Sequence, residues 1–77
     1  MKKYRIEFSK PMRQKHNIHH TDHLYKYIRD NMYSWMCWDR LPITIYSTQK
    51  NEVIHVITEK NWHSKLKELK EEEKHGN

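Results

Sequence analysis

Apolar and polar side chains alternate at the start of the chain. Tyr4, Ile6 and Phe8 are separated by charged residues, and this period of two predicts a half-buried strand that ends before Pro11. Residues 10–20 show no periodic apolar pattern, so we expect a loop between this strand and the next element.

The following segment repeats its apolar residues with a period close to 3.6. The repeat occupies positions i, i+4, i+8 and i+11, which are Leu24, Ile28, Met32 and Trp35. This spacing predicts an amphipathic helix. Thr21 is a favourable N-cap residue, and the helix should end before Pro42 because the residue preceding a proline avoids the helical conformation.

Two runs rich in β-branched residues follow, at 43–46 and 53–57. A short polar segment joins them, which predicts an antiparallel hairpin whose turn can use Asn51 in the left-handed conformation. Thr58 can then cap a last helix. The apolar face of that helix consists of Trp62, Leu66 and Leu69.

The predicted order is strand, helix, strand, strand, helix. We therefore expect an α+β domain, a three-stranded sheet with both helices on one face. The other face stays open to solvent or to a partner and carries Lys3, Arg5, Glu7, Thr44 and Tyr46. Residues 1–70 form this single small domain. Residues 71–77 are expected to fray, because acids near a helix C-terminus oppose the helix dipole.

Composition limits the class of protein. The single cysteine, Cys37, excludes an internal disulfide and is typical of an intracellular protein, and its bulky neighbours predict a buried, unreactive thiol. No apolar run approaches the ~20 residues that span a bilayer, so we expect a cytoplasmic protein without a membrane partner. Gly76 is the only glycine, which excludes a glycine-rich phosphate loop, and we predict no cofactor.

Charge is concentrated at the N-terminus. The net charge of +5 equals that of the first 20 residues, which hold six bases and one acid. A basic segment interleaved with aromatic residues favours binding of nucleic acid, single-stranded or RNA, without catalysis. The bases expected to contact phosphates lie on the first strand, the loop and the first helix: Lys3, Arg5, Lys10, Arg13, Lys15, Lys26 and Arg29.

An aromatic run near the end of the first helix supports a second interpretation. Its residues cover more of the helix circumference than one buried face can hold, so we expect Trp38 to be exposed. The alternative is that the chain turns at Cys37 and both tryptophans cap the core. Exposed Trp, Tyr and Arg are typical of protein interfaces. The chain would then be a protein-binding modulator, the kind of accessory inhibitor or adaptor that phages and other mobile elements encode. Its interface would comprise Tyr33, Trp38, Arg40 and Tyr46.

Histidines provide the remaining candidate chemistry. Four of them follow the spacing H-x2-H-H-x2-H: His16, His19, His20 and His23. On a helix they would form two i, i+4 pairs able to bind a transition metal, whereas in a surface loop they would only add charge as the pH falls. The loop is the commoner case, and we predict no metal. A nuclease-like pair of His20 with His55 is the catalytic alternative, but nothing in their spacing brings them together, and we expect no enzymatic activity.

Overall fold

The computed structural model describes residues 2–10 and 17–75, and within them the chain forms four strands and two helices. In chain order these are β1 (Tyr4–Phe8), β2 (Ile18–Thr21), α1 (Leu24–Cys37), β3 (Ile43–Ser47), β4 (Glu52–Ile57) and α2 (Trp62–His75). The strands make one antiparallel sheet in the order β2-β1-β3-β4. The α+β class predicted from the sequence is confirmed, with a larger sheet than expected.

The sheet has four strands rather than three, because part of the segment expected to be a loop forms β2. This strand pairs with β1 from Tyr4↔Thr21 to Glu7↔Ile18. It contains only four residues, two of them histidines, and is too short and too polar to show an alternating pattern. Its conformation therefore depends on backbone pairing with the edge of β1 more than on its own composition.

The first helix begins later than the sequence predicts. Thr21 does not cap it, because this residue is buried in β2, and α1 begins at Leu24 after His23. The Thr21 Oγ1 atom instead accepts a hydrogen bond from the His23 N–H at 3.0 Å. Asp22 accepts one from the Lys3 N–H at 2.7 Å, which ties the start of α1 to the start of β1.

α1 ends at Cys37, ahead of Pro42 as expected. A turn after it redirects the chain. Asp39 adopts the left-handed conformation with a φ of 53°. Its N–H bonds to the Met36 carbonyl at 3.2 Å, and the Arg40 N–H bonds to the Trp35 carbonyl at 2.7 Å. These two bonds form a Schellman motif, which turns Arg40 back toward the sheet. Cys37 is exposed rather than buried, because it lies in the last turn on the outer side of the helix.

The predicted hairpin is formed by β3 and β4, with Asn51 in the left-handed conformation at a φ of 53°. The pairing contains a bulge, since Ile45 lies opposite His55 but Tyr46 lies opposite Val53. Strict alternation predicts that Val53 and His55 share a face, and the bulge instead moves Val53 to the face of Tyr46. More of β4 is therefore exposed than alternation predicts.

The turn before α2 contains a reciprocal pair of hydrogen bonds. Thr58 Oγ1 accepts the Asn61 N–H at 3.2 Å, and Asn61 Oδ1 accepts the Thr58 N–H at 2.7 Å. This arrangement resembles a capping box and agrees with the predicted role of Thr58. The acidic segment that we expected to fray is helical as far as His75. Within this segment, Glu72 contacts His55 of β4 and so ties the helix to the sheet.

One hydrophobic core lies between the sheet and the two helices. It consists of Ile6, Phe8, Leu24, Ile28, Met32, Trp35, Leu41, Ile43, Ile45, Ile57 and Leu69. Burial of large apolar side chains contributes roughly 1.5–3 kcal/mol each, so this cluster fixes both helices on the same face of the sheet, as predicted. Neither helix of the described residues is long and apolar enough to span a bilayer.

Candidate nucleic-acid interface

The sheet face turned away from the helices carries two rows of side chains, with one residue from each strand. Residues opposite each other in the ladder share a face, so the strand pairing sets both rows. The first row is His20, Arg5, Tyr46 and Val53, and the second is Ile18, Glu7, Thr44 and Val56. We call these eight residues the open face. All eight are partly or fully exposed, so a ligand can reach them directly.

Arg5 and Tyr46 occupy the centre of the open face. The Arg5 Cζ atom lies 4.2 Å from the centroid of the Tyr46 ring, within the range of a cation–π contact. The Arg5 Nε atom also lies 2.9 Å from Glu7 Oε2. These two contacts hold the guanidinium over the sheet, which reduces the conformational entropy that it loses when a ligand binds.

Three lysines lie at the end of the sheet next to the first row of the open face, and one of them, Lys3, also lines a cavity on the helix side with Leu69 and Glu72 of α2. Thr48 holds the start of the chain against the turn between β3 and β4, because its N–H bonds to the Lys3 carbonyl at 3.0 Å and its hydroxyl bonds to the Lys2 carbonyl at 2.7 Å. Lys50 belongs to the same turn. We call Lys2, Lys3 and Lys50 the lysine rim. Their ammonium groups form no ion pair within the described residues, so they are available to anions.

Three other predicted bases, those within the described residues, do not join this surface. Lys10 is paired with Asp39 at 2.9 Å, and Arg29 with Asp30 at 3.1 Å. The hydrogen bond to Asp30 raises the pKa of Arg29 above its ordinary value. Arg29 and Lys26 lie on α1, which covers the opposite face of the sheet. The remaining predicted bases, Arg13 and Lys15, lie outside the described residues.

The residues predicted to form a protein interface lie on different surfaces. Tyr33 and Trp38, in or next to α1, are 77% and 66% exposed. Tyr46 lies on the open face, on the other side of the sheet. Arg40 is only 7% exposed, and its Cζ atom lies 3.9 Å from the centroid of the Phe8 ring. The structure leaves Trp38 exposed as expected but does not bring the four residues together.

A cavity of about 350 Å³ lies beside Trp38, between α1 and β2. Tyr27 and Trp35 contribute to its walls and contact each other edge to face, with ring centroids 5.7 Å apart. Burial raises the pKa of Tyr27 above 10.0, and the positive charge of Arg40 opposes that rise. The cavity therefore combines aromatic walls with one cationic side chain.

The four histidines considered as metal ligands do not converge within the described residues. His19 and His20 are consecutive in β2 and point to opposite faces of the sheet. His19 lies on the helix side, with its ring centroid 5.5 Å from that of Phe8, whereas His20 belongs to the open face. His23 precedes α1, and His16 lies outside the described residues.

A polar cluster between β4 and α2 was not indicated by the sequence patterns. His55 is buried and faces Glu68 and Glu72 of α2. The i, i+4 spacing of the two glutamates is the signal that could have indicated it, but alternation alone does not show that His55 faces a helix. His20 and His55 lie on strands at opposite edges of the sheet, so the nuclease-like pair is not formed.

The fold and its surfaces define a small α+β domain with one uncovered face of an antiparallel sheet. No protein-family model matches the chain, and comparisons with curated proteins and with solved structures show no significant similarity. The function is therefore inferred from the chemistry of the surfaces themselves.

Proposed function

We propose that the protein binds single-stranded RNA or DNA across the open face. The observation that supports this most directly is the Arg5–Tyr46 pair at the centre of an uncovered sheet, with the lysine rim beside it. Unpaired bases have accessible ring faces, and these stack on tyrosine rings and on arginine guanidinium groups. The lysine rim can neutralise phosphates of the same strand. Access to cellular nucleic acid fits the cytoplasmic location expected from the sequence.

The shape of the open face favours a single strand over a duplex. Reading the major groove requires a helix or a two-stranded ribbon that projects into it, whereas a four-stranded sheet offers a broad and shallow surface. The exposed side chains of Ile18, Val53 and Val56 lie at the two edges of the sheet. They add apolar contacts for splayed bases on either side of the central pair.

Removal of the central aromatic ring tests the proposal. We expect Tyr46→Ala to weaken binding of a mixed-sequence single-stranded RNA by about 5- to 150-fold, since one base–aromatic stack contributes roughly 1–3 kcal/mol. Tyr33→Ala is the matched control, because it deletes an equally large and more exposed ring from α1, on the other side of the molecule. Fluorescence anisotropy gives the two affinities, and thermal melting shows whether each variant is folded.

Two results would contradict this assignment. Equal losses in folded Tyr46→Ala and Tyr33→Ala variants would show that the open face is not the binding surface. Wild-type affinity weaker than about 1 mM at moderate salt would fall below even ordinary non-specific binding of nucleic acid, and would remove nucleic acid as the ligand class.

Protein binding is the second candidate, and the exposure of Trp38 favours it. An exposed tryptophan beside a cavity is typical of a hot spot in a protein interface. If the protein is a phage or mobile-element modulator that acts through this surface, Trp38→Ala should abolish binding of its partner and Tyr46→Ala should not. Loss of RNA affinity in Tyr46→Ala but not in Trp38→Ala supports the open face instead.

A further inference from the structure

The buried face of β4 contains a polar side chain that the core does not fully satisfy. The His55 side chain is 5% exposed, and its Nε2 atom lies 3.2 Å from Glu72 Oε2. Its Nδ1 atom is buried and has no hydrogen-bond partner within the described residues. That atom lies 4.0 Å from Glu68 Oε1, which is too far for a hydrogen bond.

We propose that His55, Glu68 and Glu72 form a binding site for one divalent transition-metal ion, with Zn²⁺ the best match. One ligand atom from each residue lies within 4.8 Å of the others. Zinc is bound by imidazole nitrogen and carboxylate oxygen at about 2.0–2.2 Å, so two ligands on one ion are separated by at most about 4.4 Å. The 4.8 Å separation is only slightly longer than this limit, so rotation of the two half-exposed glutamate side chains can close the site.

The types of ligand restrict the ion. Imidazole suits zinc, copper, nickel and iron, whereas calcium and magnesium prefer sites built entirely from oxygen. One imidazole nitrogen can bind a given ion, so the two glutamates supply the remaining protein ligands. Three protein ligands leave a position for water, as in zinc sites that are open to exchange.

The secondary structure places these ligands without strain. Glu68 and Glu72 are four residues apart in α2 and therefore lie on the same side of the helix. His55 is held by the ladder between β3 and β4, opposite Ile45. The carboxylates are 49% and 54% exposed, which gives an ion in solution a path to the buried imidazole. A bound ion would join α2 to the edge strand of the sheet.

Zinc binding to the purified full chain tests the site. We expect isothermal titration calorimetry with ZnCl₂ to show one ion per chain and a rise in melting temperature on saturation. The Glu68→Gln/Glu72→Gln variant should bind at least about tenfold more weakly and lose the thermal shift. Glu71→Gln/Glu73→Gln is the matched control, because it removes the same charge from the same helix turns.

Additional variants assign the ligands and guard against misfolding. Co²⁺ titration should give visible absorption bands of a low-symmetry site in the wild type and not in Glu68→Gln/Glu72→Gln, which retains the buried imidazole and the core. His55→Gln should lose the same bands. Zinc affinity unchanged in Glu68→Gln/Glu72→Gln, loss of affinity in His20→Gln/His23→Gln instead, or no stoichiometric binding to the wild type would each overturn the proposal. RNA binding to the open face is measured separately and does not depend on this result.

Discussion

The ionisation of Tyr27 shows how the surroundings of one residue set its chemistry. The ring lies half-buried between Trp35 and His19, with centroids at 5.7 Å and 6.1 Å. Burial disfavours the charged phenolate and raises the pKa of Tyr27 above 10.0, while Arg40 has a smaller effect in the opposite direction. The fold therefore favours the neutral phenol.

Alkaline titration should reveal this preference in the free energy of unfolding. The unfolded chain releases the Tyr27 proton near pH 10.0 and the folded chain releases it at higher pH, so the folded state binds more protons in that range. The contribution is fully present below pH 10.0 and is lost as the pH rises through the folded pKa. Tyr27→Phe should flatten the decline that sets in as the pH rises above 10.0, measured by urea unfolding. Tyr33→Phe, at an exposed ring, is the matched control, and an equal effect of both substitutions would contradict the assignment.

The conformation and exposure of a residue could be predicted from the sequence where they depend on residues close to it in the chain. Asn51 is left-handed and Trp38 is exposed, as predicted, because a tight turn and the circumference of a helix are local properties. Arg40 and His55 could not be placed in this way. Arg40 is buried because a Schellman motif turns it over Phe8, and His55 is buried because a distant helix packs on its strand.

The elements differ in how strongly their own sequence specifies them. β1, α1 and the hairpin each have an apolar pattern that spans the element, and all three are found at that pattern, although α1 begins later than a cap at Thr21 would place it. β2 has four residues and no such pattern, so it forms only because β1 provides a pairing partner. The bulge in β4 also leaves no mark in the sequence, since it adjusts the pairing between two strands.

Capping of α2 is a property of the element that mutation can isolate. Thr58→Ala removes the acceptor for the Asn61 N–H, and we expect it to lower the free energy of unfolding by about 1 kcal/mol. Glu59→Ala, in the same turn at an exposed position, should change it by less than about 0.5 kcal/mol. Chemical denaturation followed by circular dichroism measures both. Similar losses for the two variants would mean that the turn, rather than the cap, stabilises the start of α2.

The whole molecule has two chemically different sides. On the helix side, Arg29 has a carboxylate partner and His55 is held between two glutamates. On the open side, Arg5 is paired with Glu7, and the lysine rim at the end of the sheet has no ion-pair partner within the described residues. The sequence indicated that Arg5 and Tyr46 lie on the uncovered face. It could not indicate that the start of the chain lies against the turn between β3 and β4, because that depends on Thr48 bonding to the Lys2 and Lys3 carbonyls.

Salt dependence separates contacts on the open side from attraction by the net charge of +5. Each phosphate contact with a single strand contributes about 0.7 to the slope of log K against log salt. Arg5→Gln/Lys50→Gln should therefore reduce the slope for single-stranded RNA by about 1.4. Lys26→Gln/Arg29→Gln removes the same charge from α1 and gives a protein of identical net charge. We expect this variant to keep nearly the wild-type slope, because its charges lie on α1, on the other side of the sheet from the bound strand, and salt screens exposed charges over about 10 Å at 0.1 M. Equal reductions in the two variants would mean that the overall field of the molecule, and not the open face, holds the nucleic acid.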